Sequence, residues 1–155
     1  DNQEIEDELR TYHSIFMADE QLARLLHLRR TALQMMRKLE QFRPYITGAV
    51  LNGTAGEHSD IHLQLFTENA KDVEIFLLNR HIDITVTEAS VSSGRRRKTQ
   101  ADETIHFYQG DEIFHLAVYH PDDMRKMARA TDAPIERADI QALERLIAQQ
   151  TTPSI

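Results

Sequence analysis

The spacing of apolar residues first changes at Pro44, and that change limits the kind of domain this chain can make. Before it, Ile5, Leu9, Tyr12, His13 and Phe16 recur at the three-to-four-residue interval of a helix face, which predicts a first helix from Gln3 to Met17. Asp19 then suits the N-cap of a second helix, of about 22 residues, striped by Leu22, Leu25, Leu26, Leu33, Met36 and Leu39. Its other face carries Arg24, Arg29, Arg30, Arg37 and Lys38 and reads as solvated.

Beyond Pro44 the interval shortens toward two. Ile46, Val50 and Leu51 predict a strand that ends at the loop Asn52-Gly53-Thr54-Ala55-Gly56, and Ile61, Leu63 and Leu65 alternate with His62, Gln64 and Phe66 in a second strand with two differently used faces. A short helix from Asn69 to about His81 follows, then a third strand around Ile82, Ile84 and Val86. A fourth strand, Thr104 to Tyr108, and a fifth, Glu112 to Tyr119, flank the tight-hairpin signal Gln109-Gly110-Asp111. Pro121 opens a turn or helix, and Ile140, Leu143, Leu146 and Ile147 mark a last amphipathic helix. Runs of strands between helices predict an α+β domain: a mixed sheet of about five strands, residues 43–120, between an N-terminal helix pair, 1–42, and C-terminal helices, 121–150.

At 155 residues the chain is about one domain long and can bury one sizeable core. It holds no cysteine, so any metal must be held by His, Asp, Glu or carbonyl oxygen, and a reducing cytoplasm suits it. No apolar run approaches the roughly 20 residues needed to span a bilayer, so a soluble protein is expected. The chain opens on Asp1 rather than Met, which leaves room for a longer protein. With 25 acidic against 18 basic residues and a net charge of −7, the chain repels phosphate backbones at long range, which argues against general nucleic-acid coating. Aromatics at 6% and the lack of Trp leave few platforms for stacking single strands.

The richest stretch is Leu51-Asn52-Gly53-Thr54-Ala55-Gly56-Glu57-His58-Ser59-Asp60-Ile61-His62-Leu63. It resembles the signature of the polymerase-β-type nucleotidyltransferases, which place a Gly-Ser pair after the first strand and an acidic, apolar, acidic triplet on the next. Gly53-Thr54 stands in the Gly-Ser place and Asp60-Ile61-His62 in the triplet. In that pattern the glycine lets backbone amides approach a triphosphate, the hydroxyl donates to a phosphate oxygen, and alternate acids aim carboxylates at magnesium. The resemblance implies a third acid on a later strand, for which two positions offer themselves, Asp83 and His115 on the last strand, the second being favoured. Thr54 can replace serine as a donor, but His62 cannot replace a carboxylate toward a hard cation.

The reading that follows is a degenerate nucleotidyltransferase-like protein with Asp60 as a remnant ligand. It would lack efficient catalysis, with nucleotide or phosphate binding retained at Gly53, Thr54 and the basic run Arg95, Arg96, Arg97 and Lys98. A second reading is an active enzyme that joins a nucleotidyl group from a triphosphate to a protein or small-molecule acceptor, with Asp60 and Asp83 on magnesium or manganese. A third is a regulatory module that self-associates through its N-terminal helices. The histidines add a fourth possibility, in which Asp60, His62 and His115 converge on zinc, nickel or iron, with His58 near enough in sequence to join. Met35, Met36, Met124 and Met127 sit at helical spacing and read as core filling.

Overall fold

The computed structural model describes residues 2–56, 58–88, 101–129 and 136–151. The N-terminal segment is one helix, α1 (Asn2–Lys38), and not the expected pair. Nothing between Met17 and Gln21 forces a break: there is no Gly or Pro, and Asp19 caps a helix only where the backbone leaves helical geometry first. The 37 residues make a rod about 55 Å long. Arg37 and Lys38 sit in its last turn, where cations favour the carbonyl end of the helix dipole.

After the short turn Glu40–Phe42 the chain enters β1 (Tyr45–Thr47), which stops sooner than its apolar residues suggest. Gly48 takes φ +77°, a value open to glycine at no steric cost, and starts the five-residue helix α2 (Gly48–Asn52). Val50 and Leu51, expected in the strand, are therefore helical, and Gly53, at φ +89°, is the C-cap of α2. The remaining elements fall close to expectation: β2 (Ile61–Phe66), α3 (Ala70–Asn79), β3 (Ile84–Glu88), β4 (Glu103–Gln109), β5 (Glu112–Tyr119), α4 (Asp123–Arg129) and α5 (Ile140–Thr151). The Asn69 side chain accepts the Lys71 N–H at 3.0 Å to begin α3, and Asp139 accepts the Ala142 N–H at 2.8 Å to begin α5.

The five strands form one mixed sheet in the order β1-β2-β5-β4-β3. β2 and β5 are parallel neighbours, and the other three pairings are antiparallel. One face carries the rows Ile61, Phe114, Phe107, Ile84 and Leu63, Leu116, Ile105, Val86, and these side chains cluster with Leu28, Met36 and Leu39 of the first helix, Val73 and Leu77 of α3, and Leu143 of α5. Burial of Phe114, Leu28, Met36 and their neighbours is the main favourable term, at roughly 1.5–3 kcal/mol for each large side chain taken from water.

Two arginines expected on a solvated face of α1 are structural. Arg29 is buried, its Nε donates to the Val50 carbonyl at 2.9 Å and its Nη2 to the Leu51 carbonyl at 2.8 Å, and Nη1 reaches Gln150 at 2.9 Å. It thus takes up carbonyls that the end of α2 would otherwise leave without partners. Arg24 pairs bidentately with the buried Glu112 at 2.7 and 2.9 Å, pinning the first helix to the β4–β5 hairpin. Replacing Arg29 by Met keeps the volume of the stem but strands those carbonyls. Urea unfolding of Arg29→Met is expected to show a loss of about 2–3 kcal/mol, against a change near zero for the exposed Arg30→Met.

Glu103 breaks the apolar rule of the helix-covered face. It stands in the row Leu65, Val118, Glu103, Glu88, is 4% exposed, and lies by Glu74 of α3. Burial, then a hydrogen bond and charge repulsion from Glu74, raise its pKa to about 7, against a smaller opposing pull from Lys71. The folded protein therefore keeps a proton on Glu103 that the unfolded chain gives up near pH 4.5. The stabilising proton is fully in place below that pH and is lost as pH rises through about 7. Glu103→Gln should remove this slope: thermal unfolding across pH 4 to 8 is expected to show the variant about 3 kcal/mol more stable than wild type at the alkaline end and nearly equal at the acid end.

Candidate functional site

On the sheet face away from the main core, strand register lays one polar row across all five strands. Thr47 pairs with His62, His62 with His115, His115 with His106, and His106 with Thr85. Side chains on a strand alternate between faces, so these five necessarily point the same way. The row lies at the ends of β2 and β5 nearer the Asp60 loop, and Asp60 immediately precedes β2.

Two of the row's members, His106 and His115, are joined by hydrogen bonds to each other, to Asp60 and to Thr87, which lies two residues beyond Thr85 on β3. His115 Nε2 lies 2.7 Å from Asp60 Oδ2, His115 Nδ1 lies 2.6 Å from His106 Nδ1, and His106 Nε2 lies 3.0 Å from Thr87 Oγ1. An ionised carboxylate only accepts, so His115 Nε2 carries a proton, and with both imidazoles neutral its Nδ1 offers a lone pair. His106 then donates through Nδ1 and accepts the Thr87 hydroxyl at Nε2. Every bond runs toward Asp60, and no member of the chain lacks a partner. The His62 ring stacks on His115 with centroids 4.8 Å apart, and its other side lies against Gly48, whose position would bring an added Cβ within 3.7 Å of the ring.

This packing disfavours extra positive charge. The pKa of His62 is lowered, chiefly by burial and then by His115, with Asp60 opposing; that of His106 is lowered by burial and then by His115. Asp60 and His115 keep 33% and 24% of their side-chain surface exposed, so the row is reachable from solvent.

The residues singled out from the sequence divide clearly. Asp60, His62 and His115 come together. Asp83 does not: it lies just before β3, in line with Asp60 across the sheet but with β5 and β4 between them, about 14 Å away at the usual strand spacing. The two cannot share one metal ion. Gly53 and Thr54 also lie apart from the place the resemblance implies, because α2 intervenes and the glycine that directly follows β1 is Gly48, succeeded by Ala49 with no hydroxyl. Their amides are spent as well, both donating to the Ala49 carbonyl, at 3.0 and 3.1 Å, while the Thr54 hydroxyl bonds Asn52 at 2.6 Å. The Gly56 amide donates to Ser59 Oγ at 2.8 Å, which closes the loop on itself. His58 is exposed in that loop, and Arg95, Arg96 and Arg97 lie outside the described residues.

Magnesium does not suit this row. A hard cation needs several oxygen ligands, and here one carboxylate faces imidazoles, with its Oδ2 already held by His115. Among the described residues no three His, Asp or Glu side chains are grouped to hold a metal ion. His106 was not anticipated, although the hairpin signal at Gly110 contains it: a two-residue turn that pairs Gln109 with Glu112 must also pair His106 with His115.

No family model matches the chain, and no curated protein or solved structure matches it. Among the described residues no helix is long and apolar enough to cross a membrane. Because Asp60 raises the pKa of His62 while its surroundings lower it, Asp60→Asn should move that histidine further from the usual imidazole range. Ring-proton NMR titration is expected to give His62 and His106 midpoints below 6.5 in wild type, and a lower His62 midpoint in Asp60→Asn.

Proposed function

We propose that the chain is a degenerate nucleotidyltransferase-like protein without efficient nucleotidyl transfer. The observation that supports this most is the parallel pairing of β2 with β5, which gathers Asp60, His62 and His115 where the resemblance implies three acids. One carboxylate is left, and it is committed to an imidazole at 2.7 Å. A two-metal clamp on the attacking and leaving oxygens needs carboxylates that the row lacks.

The phosphate side of the reading is weaker still in donors. In the family pattern the glycine loop offers free amides to a triphosphate, whereas the amides of Gly53, Thr54 and Gly56 are already donated within the loop. Binding of nucleotide at this face would have to draw on other groups. Asp60 in this reading orients His115 rather than a metal.

The test is an assay of labelled nucleotidyl incorporation, into the protein itself and into small hydroxyl acceptors, with each of the four ribonucleoside triphosphates and magnesium or manganese. No turnover above background is expected, nor any rise in melting temperature on adding nucleotide, since a ligand of the folded state alone would raise it. Magnesium-dependent turnover that disappears in Asp60→Ala would overturn the reading and restore an active enzyme.

A further inference from the structure

We propose that Nδ1 of His106 and Nδ1 of His115 are the two protein ligands of a site for a divalent cation of the zinc class, with Asp60 and Thr87 fixing the two rings from behind. The two nitrogens face each other 2.6 Å apart. Behind each, the remaining ring nitrogen is held: Nε2 of His115 by Asp60 at 2.7 Å, and Nε2 of His106 by Thr87 at 3.0 Å. A carboxylate or hydroxyl on the far nitrogen is how metal-binding imidazoles are oriented and their basicity raised. The arrangement differs from a direct Asp60, His62, His115 ligand set, because Asp60 lies behind His115 and not beside its free nitrogen.

The protonation balances without a co-reactant. In the metal-free row the proton between the two rings sits on His106 Nδ1. When a cation takes that place, the proton moves to His106 Nε2 and the Thr87 hydroxyl turns from donor to acceptor, a change open to any hydroxyl. Both rings stay neutral, the Asp60 contact is kept, and nothing is oxidised or reduced. Zinc–nitrogen bonds of 2.0–2.1 Å at a tetrahedral angle put the two nitrogens about 3.3 Å apart, so the rings must open by about 0.7 Å. The planes already stand at 75° to each other, and both rings are part exposed, which leaves the outer positions for water or an external ligand. Imidazole favours zinc, cobalt, nickel or copper over magnesium or calcium.

The experiment is a titration of the full chain with zinc in competition with a chromophoric chelator, alongside cobalt followed by its visible absorption. One equivalent is expected to bind wild type, with cobalt showing the intense bands of a four-coordinate site. Binding should weaken at least about tenfold in His106→Gln and His115→Gln and about 10–100-fold in Asp60→Asn. It should be unchanged in His81→Asn, where the exposed residue has φ +61° and Asn tolerates that backbone. Should circular dichroism show the histidine variants unfolded, Asp60→Asn decides, since it keeps both imidazoles. Zinc should also shift the ring signals of His106 and His115 in wild type ahead of the other histidines. No saturable binding, or binding that Asp60→Asn and His106→Gln leave unchanged, overturns the proposal.

Discussion

Because β2 and β5 run side by side in the same direction, the chain has to leave the sheet after Phe66, cross through α3, and return by way of β3 and β4 before β5 can take its place. A parallel neighbour requires such a crossover, whereas antiparallel neighbours need only a turn. The detour has two consequences. It brings α3 onto the buried face, where Val73 and Leu77 join the core, and it sets His115 directly beside His62 with the loop end at Asp60 alongside. If the register slipped by one residue on β5, the core residues Phe114, Leu116 and Val118 would change faces with His115, so the same apolar pattern that makes the core aligns the polar row.

The buried charges show how tightly the helices are tied to this sheet. Arg29 caps the end of α2 and Arg24 holds Glu112, so the first helix contributes apolar packing, one ion pair and one buried guanidinium bonded to backbone carbonyls. A guanidinium suits both tasks, since it stays charged when buried and its planar fork can serve two acceptors at once. Glu103 is the opposite case: Lys71 offsets only part of its burial, and keeping a proton is how a carboxyl tolerates burial beside another carboxyl. The fold therefore becomes less favourable toward alkaline pH at this position, independently of the histidine row on the other face.

Much of the architecture was legible in the period of the apolar residues, and the exceptions have local causes. The strands at Ile61, Ile84, Thr104 and Glu112 follow from alternation, and the hairpin from Gly110, at φ +63°. The two missed features are both backbone decisions made without a change of composition. Met17 to Gln21 continues a helix because no residue there stops one, and Gly48 turns the chain into a helix although Val50 and Leu51 are good strand residues. At the site, Asp60, His62 and His115 were readable as a set, since strand alternation and the motif both point to them. His106 was readable only by carrying the hairpin register inward from its turn, and the removal of Asp83 required the strand order, which no local pattern contains.

The chemistry of the row follows from what replaces what. Three carboxylates at positions 60, 62 and 115 would repel one another, and only a cation could hold them at bonding distance. One carboxylate with imidazoles behaves differently, because each neutral ring both donates and accepts, and a chain of them can close on a single acceptor. Thr87, His106, His115 and Asp60 make that closed chain, with His62 stacked against it, so this face is complete as a polar network before any ligand arrives. The proton between His106 and His115 is its only member held between two equivalent nitrogens. A softer cation can take its place with the exchange of one tautomer, while a hard cation would have to break the Asp60–His115 bond and find oxygens that the row does not offer.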